Sequence, residues 1–491
     1  MEDSAVLNQV ALDKYSWQAT GRTALSLLIT TVTAQISYIS DYEDVSNDGG
    51  RAWLFLEYLK EFTVEHMILK GGGHLALRHL GNCTCVLCEC VITLNVGRLD
   101  GDSGGMLHIG KSQRLIIQSA PTKFPSSFRV YEQGYFQVPP VMLLRNLYYP
   151  KITIEGAIKD LKELSIGKGT QLEIAEHGGS YGYPSRTLLM NSLTIMNNAK
   201  LIALSSSHAS YSLRLNVNKT LAVLAGGLVK GKWIEITAEN VNIESSGLVS
   251  TDELGHGLRS GPGSSSDSAG AGHGGRGGTG TISSSPGPAY GSVEEPHEFG
   301  SGSLSAKGGG IIKINAFSSL SLDGAISADG EQSSKDMTGG GSGGSVWLST
   351  KYLAGNGEST VLGGKCGVFK AFGGSSRYEA GGAGTAFLSD AGMNKRKLIV
   401  NNNNIGAPLT DDITNVLHDG GRTWITPESG TAIVEYDQVD LRGKSQLAVL
   451  TNPPGAALEW AIKGFTGDLS GILHIQTNQT LRMTSNAGKL W

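Results

Sequence analysis

The chain has 491 residues, of which 69 are glycine and 17% are charged, and its formal net charge is −4. It is long enough for several domains, but it has neither a basic block nor basic residues interleaved with aromatic ones, so we expect no nucleic-acid partner. No apolar run reaches the roughly 18 residues that a membrane-spanning helix needs, so we expect no membrane span in this chain.

The first apolar segment, ALSLLITTVTA (24–34), has the appearance of a signal-peptide cleavage region. However, acidic residues precede it, and its counterpart in an internal repeat, RKLIVNNNN (396–404), has the pattern of a strand. We therefore favour a strand and keep the signal peptide as the alternative. The next apolar segment, WLFLEYLKEF (53–62), is also interpreted as strand, because Pro427 lies inside its repeat counterpart and proline disrupts a helix interior.

Internal repetition is the main organising signal of the sequence. Three phrases occur twice, at offsets of 371, 372 and 366 residues: DGGRAWL (48–54) with DGGRTWI (419–425), HLALR (74–78) with QLAVL (446–450), and GDSGGMLHI (101–109) with GDLSGILHI (467–475). Such a period predicts tandem modules. We predict the tail of one module at 1–37, a complete module at 38–408 and the start of a truncated third module at 409–491, so that the sequence is a piece of a longer array.

Four of the five cysteines lie where the offset falls from 372 to 366, in an insertion: Cys83, Cys85, Cys88 and Cys90. The pattern C-x-C-x-x-C-x-C fits disulfides, surface thiols, a metal site or an error in the gene model. As a metal signal it is weak, because structural zinc modules do not place all four thiolates so close together. No cofactor is expected.

GDSGG (101–105) is the phrase that surrounds the nucleophile of chymotrypsin-like proteases, with Ser103 in the nucleophile's position. The second copy of the phrase has Leu469 there, although a nucleophile needs its hydroxyl and a neighbouring base. We therefore predict a turn that leads into a strand, with His108 and His474 pointing outward, and we predict no catalytic residue.

Alternation of apolar and polar residues predicts strands with one buried face, each followed by a small polar corner. The segments with this pattern are 164–174, 193–203, 213–223 and 233–250. Their recurrence at short intervals predicts a solenoid. The predicted fold is all-β, a right-handed parallel β-helix with helix well under a tenth of the residues, and an array of β-sandwiches is the alternative.

Residues 254–306 are rich in glycine and serine, and their composition predicts a flexible loop at the side of the solenoid. The block lacks the motifs of a phosphate loop or of calcium-binding repeats. Near it, Asp252, Asp323 and Asp329 resemble the clustered aspartates of β-helix polysaccharide hydrolases, although aspartate is also a common turn residue. Polar residues that could form a binding surface on the loop are His273, Arg276, Tyr290, Glu294, Glu295 and His297.

Several phrases around this block resemble large glycine-rich extracellular proteins of animals and plants: AGHGGRGG (271–278), PAYGSVEEPHEFGSG (288–302), LDGAISADG (322–330) and GGGSGGSVWL (339–348). The resemblance implies a secreted or surface-attached β-helix, repeated in tandem, with no catalytic residues. We therefore expect an extracellular or cell-surface protein of structural or adhesive function that contacts glycan, matrix or adjacent modules. The alternative is a β-helix carbohydrate-active enzyme. Three N-x-T sequons are candidate glycosylation sites: Asn82, Asn218 and Asn478.

Overall fold

A computed structural model describes the second half of the chain almost continuously and the first part through its strands. After residue 160 it describes 161–175, 185–204, 212–266, 268–278, 285–333, 338–354, 368–376, 379–390, 395–402, 422–425, 431–449, 451 and 455–484. Before residue 161 it describes only the strands β1–β13, whose bounds follow.

The described residues form 33 strands. In chain order they are β1 Tyr15–Ala19, β2 Leu25–Thr30, β3 Arg51–Leu56, β4 Glu61–Lys70, β5 His74–His79, β6 Ile92–Gly101, β7 Met106–Ile109, β8 Gln113–Ile117, β9 Ser127–Val130, β10 Tyr135–Gln137, β11 Val141–Leu144, β12 Lys151–Ile154, β13 Ala157–Lys159, β14 Glu163–Ile166, β15 Gln171–Ala175, β16 Ser185–Ile195, β17 Lys200–Leu204, β18 Ser212–Val223, β19 Leu228–Lys230, β20 Trp233–Ile243, β21 Leu248–Ser250, β22 Ile311–Leu322, β23 Ala325–Ser327, β24 Ser345–Ala354, β25 Val368–Lys370, β26 Thr385–Asp390, β27 Lys395–Asn401, β28 Arg422–Ile425, β29 Ile433–Arg442, β30 Gln446–Val449, β31 Leu458–Gly467, β32 Ile472–His474 and β33 Gln479–Met483.

The described part of the chain contains strands, turns and extended segments and no helix, so the predicted all-β class is confirmed there. The segment 53–62, which the sequence analysis interpreted as strand and not as helix, contributes to β3 and β4. Nowhere among these residues does a helix occur that is long and apolar enough to cross a membrane.

The chain divides into two compact units, and the first comprises residues 1–208 and 222–228. Its strands pair in parallel with strands two or three positions further along the chain. One ladder runs β2-β4-β6-β8-β10-β13, a second runs β3-β5-β7-β9-β12-β15-β17, and a third runs β11-β14-β16. The exception is β1, which pairs with β2 in the antiparallel direction.

The second unit comprises residues 209–221 and 229–491 and is built from the same kind of ladders. Parallel pairing links β20-β22-β24-β26, β21-β23-β25 and β28-β30-β32. At β26 the direction changes, because β27 pairs with it in antiparallel fashion. The strands β29, β31 and β33 then continue parallel to β27.

The core of the second unit follows from alternation along each strand. In β20, Ile234 and Ile236 are buried, while Glu235 and Thr237 are half-buried. The in-register partner of Ile236 is Ile314 in β22, and that of Ile314 is Leu348 in β24, so buried side chains stack in columns from strand to strand. Full burial of each such side chain contributes about 1.5–3 kcal/mol, which is why the polar alternate positions face outward.

The glycine-rich block differs from the prediction of a flexible loop. Much of it is buried, and its backbone groups pair with later glycine-rich segments, which also pair with one another: Gly300 N with Gly309 O (2.8 Å), Gly309 N with Ser342 O (2.9 Å), Gly343 N with Gly382 O (3.0 Å) and Gly382 N with Ala271 O (2.8 Å). A Cβ atom on any of these glycines would lie closer than 3.0 Å to a backbone atom of another segment. The prediction of flexibility is therefore wrong for the described part of the block, because glycine here permits the close packing of backbones.

Candidate functional site

Some of the predicted site residues lie outside the described residues. These are the cysteine cluster (Cys83, Cys85, Cys88 and Cys90), the neighbouring sequon at Asn82, and Ser103 of the protease-like phrase. The remaining candidates fall in the second unit and can be placed.

Two of the three candidate carboxylates, Asp252 and Asp329, lie side by side on consecutive parallel strands. Asp252 follows β21 and Asp329 follows β23, and Asp252 Oδ1 accepts hydrogen bonds from Asp329 N (2.7 Å) and Ser327 Oγ (2.6 Å). Asp329 Oδ1 in turn accepts the backbone N–H of Phe372, after β25, at 2.8 Å. Asp323 lies in the turn that precedes β23, at the other end of that strand. The structure therefore brings together two of the three.

The electrostatics of this pair follow from its burial. Burial, with a contribution from the adjacent Asp252 carboxylate, raises the pKa of Asp329 from 3.8 to about 6, against hydrogen bonds that favour the charged form. A carboxyl group with such a pKa is suited to proton transfer near neutral pH. A raised pKa is equally expected for a structural carboxylate that is partly buried and accepts backbone N–H groups.

We expect the substitution Asp329→Asn to stabilise the second unit by about 2 kcal/mol at neutral pH. The raised pKa means that the folded state binds the proton more tightly than the unfolded state. In the wild type, the stability that the protonated Asp329 contributes is fully present below the ordinary pKa of 3.8 and is lost as the pH rises through about 6. Asparagine still accepts the Phe372 N–H and carries no charge, so the gain should be present at pH above 6 and disappear near pH 4. Denaturant unfolding at both pH values measures it.

The matched control is Asp323→Asn, which makes the same chemical change in a turn outside the pair. The gain of Asp329→Asn over this control is the quantity to compare at the two pH values. A gain for Asp329→Asn that does not change with pH, or a loss at neutral pH, would contradict the assignment of the pH dependence to this carboxyl group.

Two candidates inside the glycine-rich block, His273 and Tyr290, come together. His273 is 2% exposed, and its ring meets that of Tyr290 edge to face at 4.9 Å. The Tyr290 hydroxyl contacts Ser301 Oγ (2.6 Å) and the carbonyl of Phe299. Burial lowers the pKa of His273 to about 4 and raises the pKa of Tyr290. Both rings are thus neutral packing elements at physiological pH. Arg276, three residues after His273, is half-buried.

The segment that follows, residues 290–299, contacts outward-facing side chains of β20 and β22. Trp233 lies edge to face with Phe299 (5.8 Å) and tilted against His297 (6.4 Å), and Lys313 Nζ lies 5.5 Å from the Trp233 ring. Further along, Glu294 forms an ion pair with Arg396, while Glu295 is exposed. The predicted polar set is therefore split, since part of it holds the segment against the strands and part of it faces solvent.

An exposed aromatic pair escaped the sequence analysis. Phe317 in β22 and Tyr352 in β24 are 62% and 55% exposed, on adjacent strands. Phe317 lies in a β-bulge: between the pairs Ala316–Thr350 and Ser319–Tyr352, β22 has one residue more than β24. Only the run AFSSL, which interrupts the alternation of apolar and polar residues, signals this bulge in the sequence.

Two sequons are described. Asn218 is exposed within β18. Asn478 is exposed in the turn before β33, at a positive φ of 64°, and its Nδ2 donates to Gly455 O at 3.1 Å. Exposure makes either side chain accessible to modification, and glycosylation of Asn478 would replace its hydrogen bond to Gly455 O.

The second copy of the protease-like phrase forms a turn and a strand, as predicted for it. Leu469 is exposed in the turn at a φ of 68°, and β32 follows. In this strand His474 contacts Gln446 of β30, with 3.0 Å between Nε2 and Oε1. In the first copy, β7 pairs with β5 as β32 pairs with β30.

No cluster of three or more metal-ligating side chains that could hold an ion occurs among the residues that the structure describes. No family model, curated protein or solved structure matches this chain. Proposals about its function therefore rest on its own sequence and geometry.

Proposed function

We propose that this protein is a non-catalytic structural or adhesive protein of the cell exterior, built as a right-handed parallel β-helix and presenting surfaces to glycan or matrix partners. The observation that carries the proposal is the pairing of strands two positions apart, in parallel and in register, as in β20, β22 and β24. A chain that winds through successive coils produces this order, and each coil adds core only by stacking on its neighbour. Such a stack suits a load-bearing or surface-presenting role.

The pairing pattern near the two ends of the chain supports the further proposal of tandem modules. The antiparallel pair β1–β2 is followed by parallel pairing of β2 with β4, and the antiparallel pair β26–β27 is followed by parallel pairing of β27 with β29. Equivalent strands begin 370 residues apart, at 15 and 385 and at 25 and 395, which is close to the offset of the sequence repeat. Both strand pairs fall near the end of a predicted module (1–37 and 38–408), so two modules that end in the same way account for both observations.

The extracellular location is tested with an antibody against the second unit. We expect the native protein to be detected on intact, unpermeabilised cells or in their matrix, and to lose mass on treatment with an N-glycanase. The variant Asn218→Gln should show a smaller loss, because Asn218 is an exposed sequon. Detection only after permeabilisation, without a glycanase shift, would refute an extracellular role.

The second candidate function is a β-helix carbohydrate-active enzyme, and the observation that favours it is the Asp252–Asp329 pair with its raised Asp329 pKa. Against it, oxygens of both carboxylates accept backbone N–H groups of the next strand along. Glycoside cleavage needs an acid and a second carboxylate on either side of one bond. Release of reducing sugar from a polysaccharide panel, abolished by Asp329→Asn, would favour the enzyme over the structural protein.

A further inference from the structure

The bulge in β22 carries an arrangement that the fold itself does not require. Between Ala316 and Ser319, β22 has two residues, while each flanking strand has one, Glu239 in β20 and Lys351 in β24. The extra residue interrupts the ladder, and a bulge of this kind re-aims side chains. Phe317 lies in this bulge and is 62% exposed. Fold stability gains from neither the interrupted ladder nor the exposed ring.

A second aromatic ring lies on the next strand, one register position further along. Tyr352, 55% exposed, is the register partner of Ser319. Neighbouring strands are about 4.8 Å apart, so the two side chains rise from adjacent steps of one sheet. Lys351 Nζ lies 5.6 Å from the Tyr352 ring centroid. The surroundings are polar, and Ser319 Oγ donates to Asn240 Oδ1 at 2.7 Å.

The geometry points to this surface as a glycan-binding site, in which Phe317 and Tyr352 stack on the C–H faces of successive sugar rings of an extended β-linked chain. The inference rests on the proposed adhesive function and gives it a location. Two rings are far too little for a stable protein interface, which buries about 1,600 Å² in total. A sugar chain needs only a narrow aromatic strip flanked by amides and hydroxyls, and the strand spacing is close to the length of one sugar unit in such a chain.

The neighbouring polar groups fit the same occupant. The Asn240 amide and the Ser319 hydroxyl lie beside the rings and can exchange their mutual hydrogen bond for bonds to sugar hydroxyls. Lys351 adds a donor on the same face. Aromatic side chains with an apolar face and a few convergent polar groups are the chemistry that a pyranose ring, apolar on its faces and polar at its rim, requires.

The test is a titration of the full chain with cellohexaose and with chitohexaose, followed by saturation-transfer difference NMR. Binding of at least one of the two is expected, with loss of about tenfold in affinity for each ring removed. The variant Phe317→Leu/Tyr352→Leu is the critical one, because it keeps apolar side chains and removes only the stacking faces. Leu258→Ala, which shortens another exposed apolar side chain (47%), is the matched control and should leave the affinity unchanged.

Two results would overturn the inference: no binding of either oligosaccharide at millimolar concentration, or equal binding by the double leucine variant. Either result leaves the proposed structural function standing if the protein is still found outside the cell with its glycan at Asn218. An intracellular protein without that glycan would refute the proposed function whatever the outcome of the titration.

Discussion

The substitution Gly381→Ala is expected to destabilise the second unit by more than about 3 kcal/mol, whereas Gly257→Ala leaves it nearly unchanged. A Cβ atom at Gly381 would lie 1.9 Å from the carbonyl oxygen of Gly341 and 2.5 Å from its carbonyl carbon. Neither atom can move aside alone, because the carbonyl of Gly341 accepts the N–H of Gly374 at 2.7 Å and Gly374 accepts the N–H of Gly381 at 3.0 Å. Relief of the clash must therefore break this hydrogen-bonded layer.

Gly257 is a suitable control because it is a glycine of the same unit, in the glycine-rich block. A Cβ atom there would meet no other atom within 4 Å, and the residue is exposed. Guanidinium unfolding followed by circular dichroism in the β region measures both variants against the wild type. Equal midpoints for Gly381→Ala and Gly257→Ala would show that the packing of Gly381 against Gly341 is loose.

This glycine layer marks the limit of what the sequence predicted. Strands such as β20 could be predicted, since the alternation of Ile234 and Ile236 with polar residues is a local signal. The packing of Gly341 against Gly381 could not, because composition reports the flexibility of a glycine segment in isolation and not the backbone partners that it finds far along the chain.

The candidate sites show the same division between local and long-range signals. Aspartates after consecutive strands were recognisable because the phrase GLVSTD (247–252) returns as GAISAD (324–329), and Asp252 and Asp329 do lie together. Phe317 lies at a one-residue mismatch between β22 and both of its neighbours, which only the register shows. Phenylalanine in a strand is ordinarily a core residue, so its type alone predicted burial.

A buried ionic cluster, which the sequence also did not predict, gives the second large expected effect on stability. Asp440 is 1% exposed, with Arg442 Nε at 2.9 Å from one carboxylate oxygen and Lys397 Nζ at 3.6 Å from the other. Lys397 is itself only 7% exposed. Burial lowers its pKa to about 8, even though Asp440 favours the charged ammonium. Removing Asp440 would leave a buried amine without its counter-charge.

We expect Asp440→Ala to cost about 3–5 kcal/mol of unfolding free energy at neutral pH, while the double variant Lys397→Met/Asp440→Leu stays close to the wild type. Breaking a buried pair leaves an uncompensated charge, whereas replacing both partners by apolar side chains of similar size removes the desolvation cost together with the attraction. Arg442 is 20% exposed and can turn its guanidinium toward water in either variant. Equal losses in the single and the double variant would show that side-chain volume, and not charge, decides stability here.

The pH dependence of the unfolding free energy independently distinguishes buried charge from side-chain volume as the cause of the loss. The pKa of Lys397 is about 8 in the folded protein against 10.5 for an ordinary lysine, so between these values the unfolded state binds more protons and wild-type stability rises with pH. In Asp440→Ala the counter-charge is gone and the folded pKa must fall further, so the rise begins at lower pH and is larger. The double variant has no amine at this position and lacks the rise.

The measurement is the free energy of unfolding of all three proteins at about pH 7 and about pH 9.5. The difference in this free energy between Asp440→Ala and the double variant should be smaller at the higher pH. A gap that stays constant would mean that Lys397 is not the charge that Asp440 compensates.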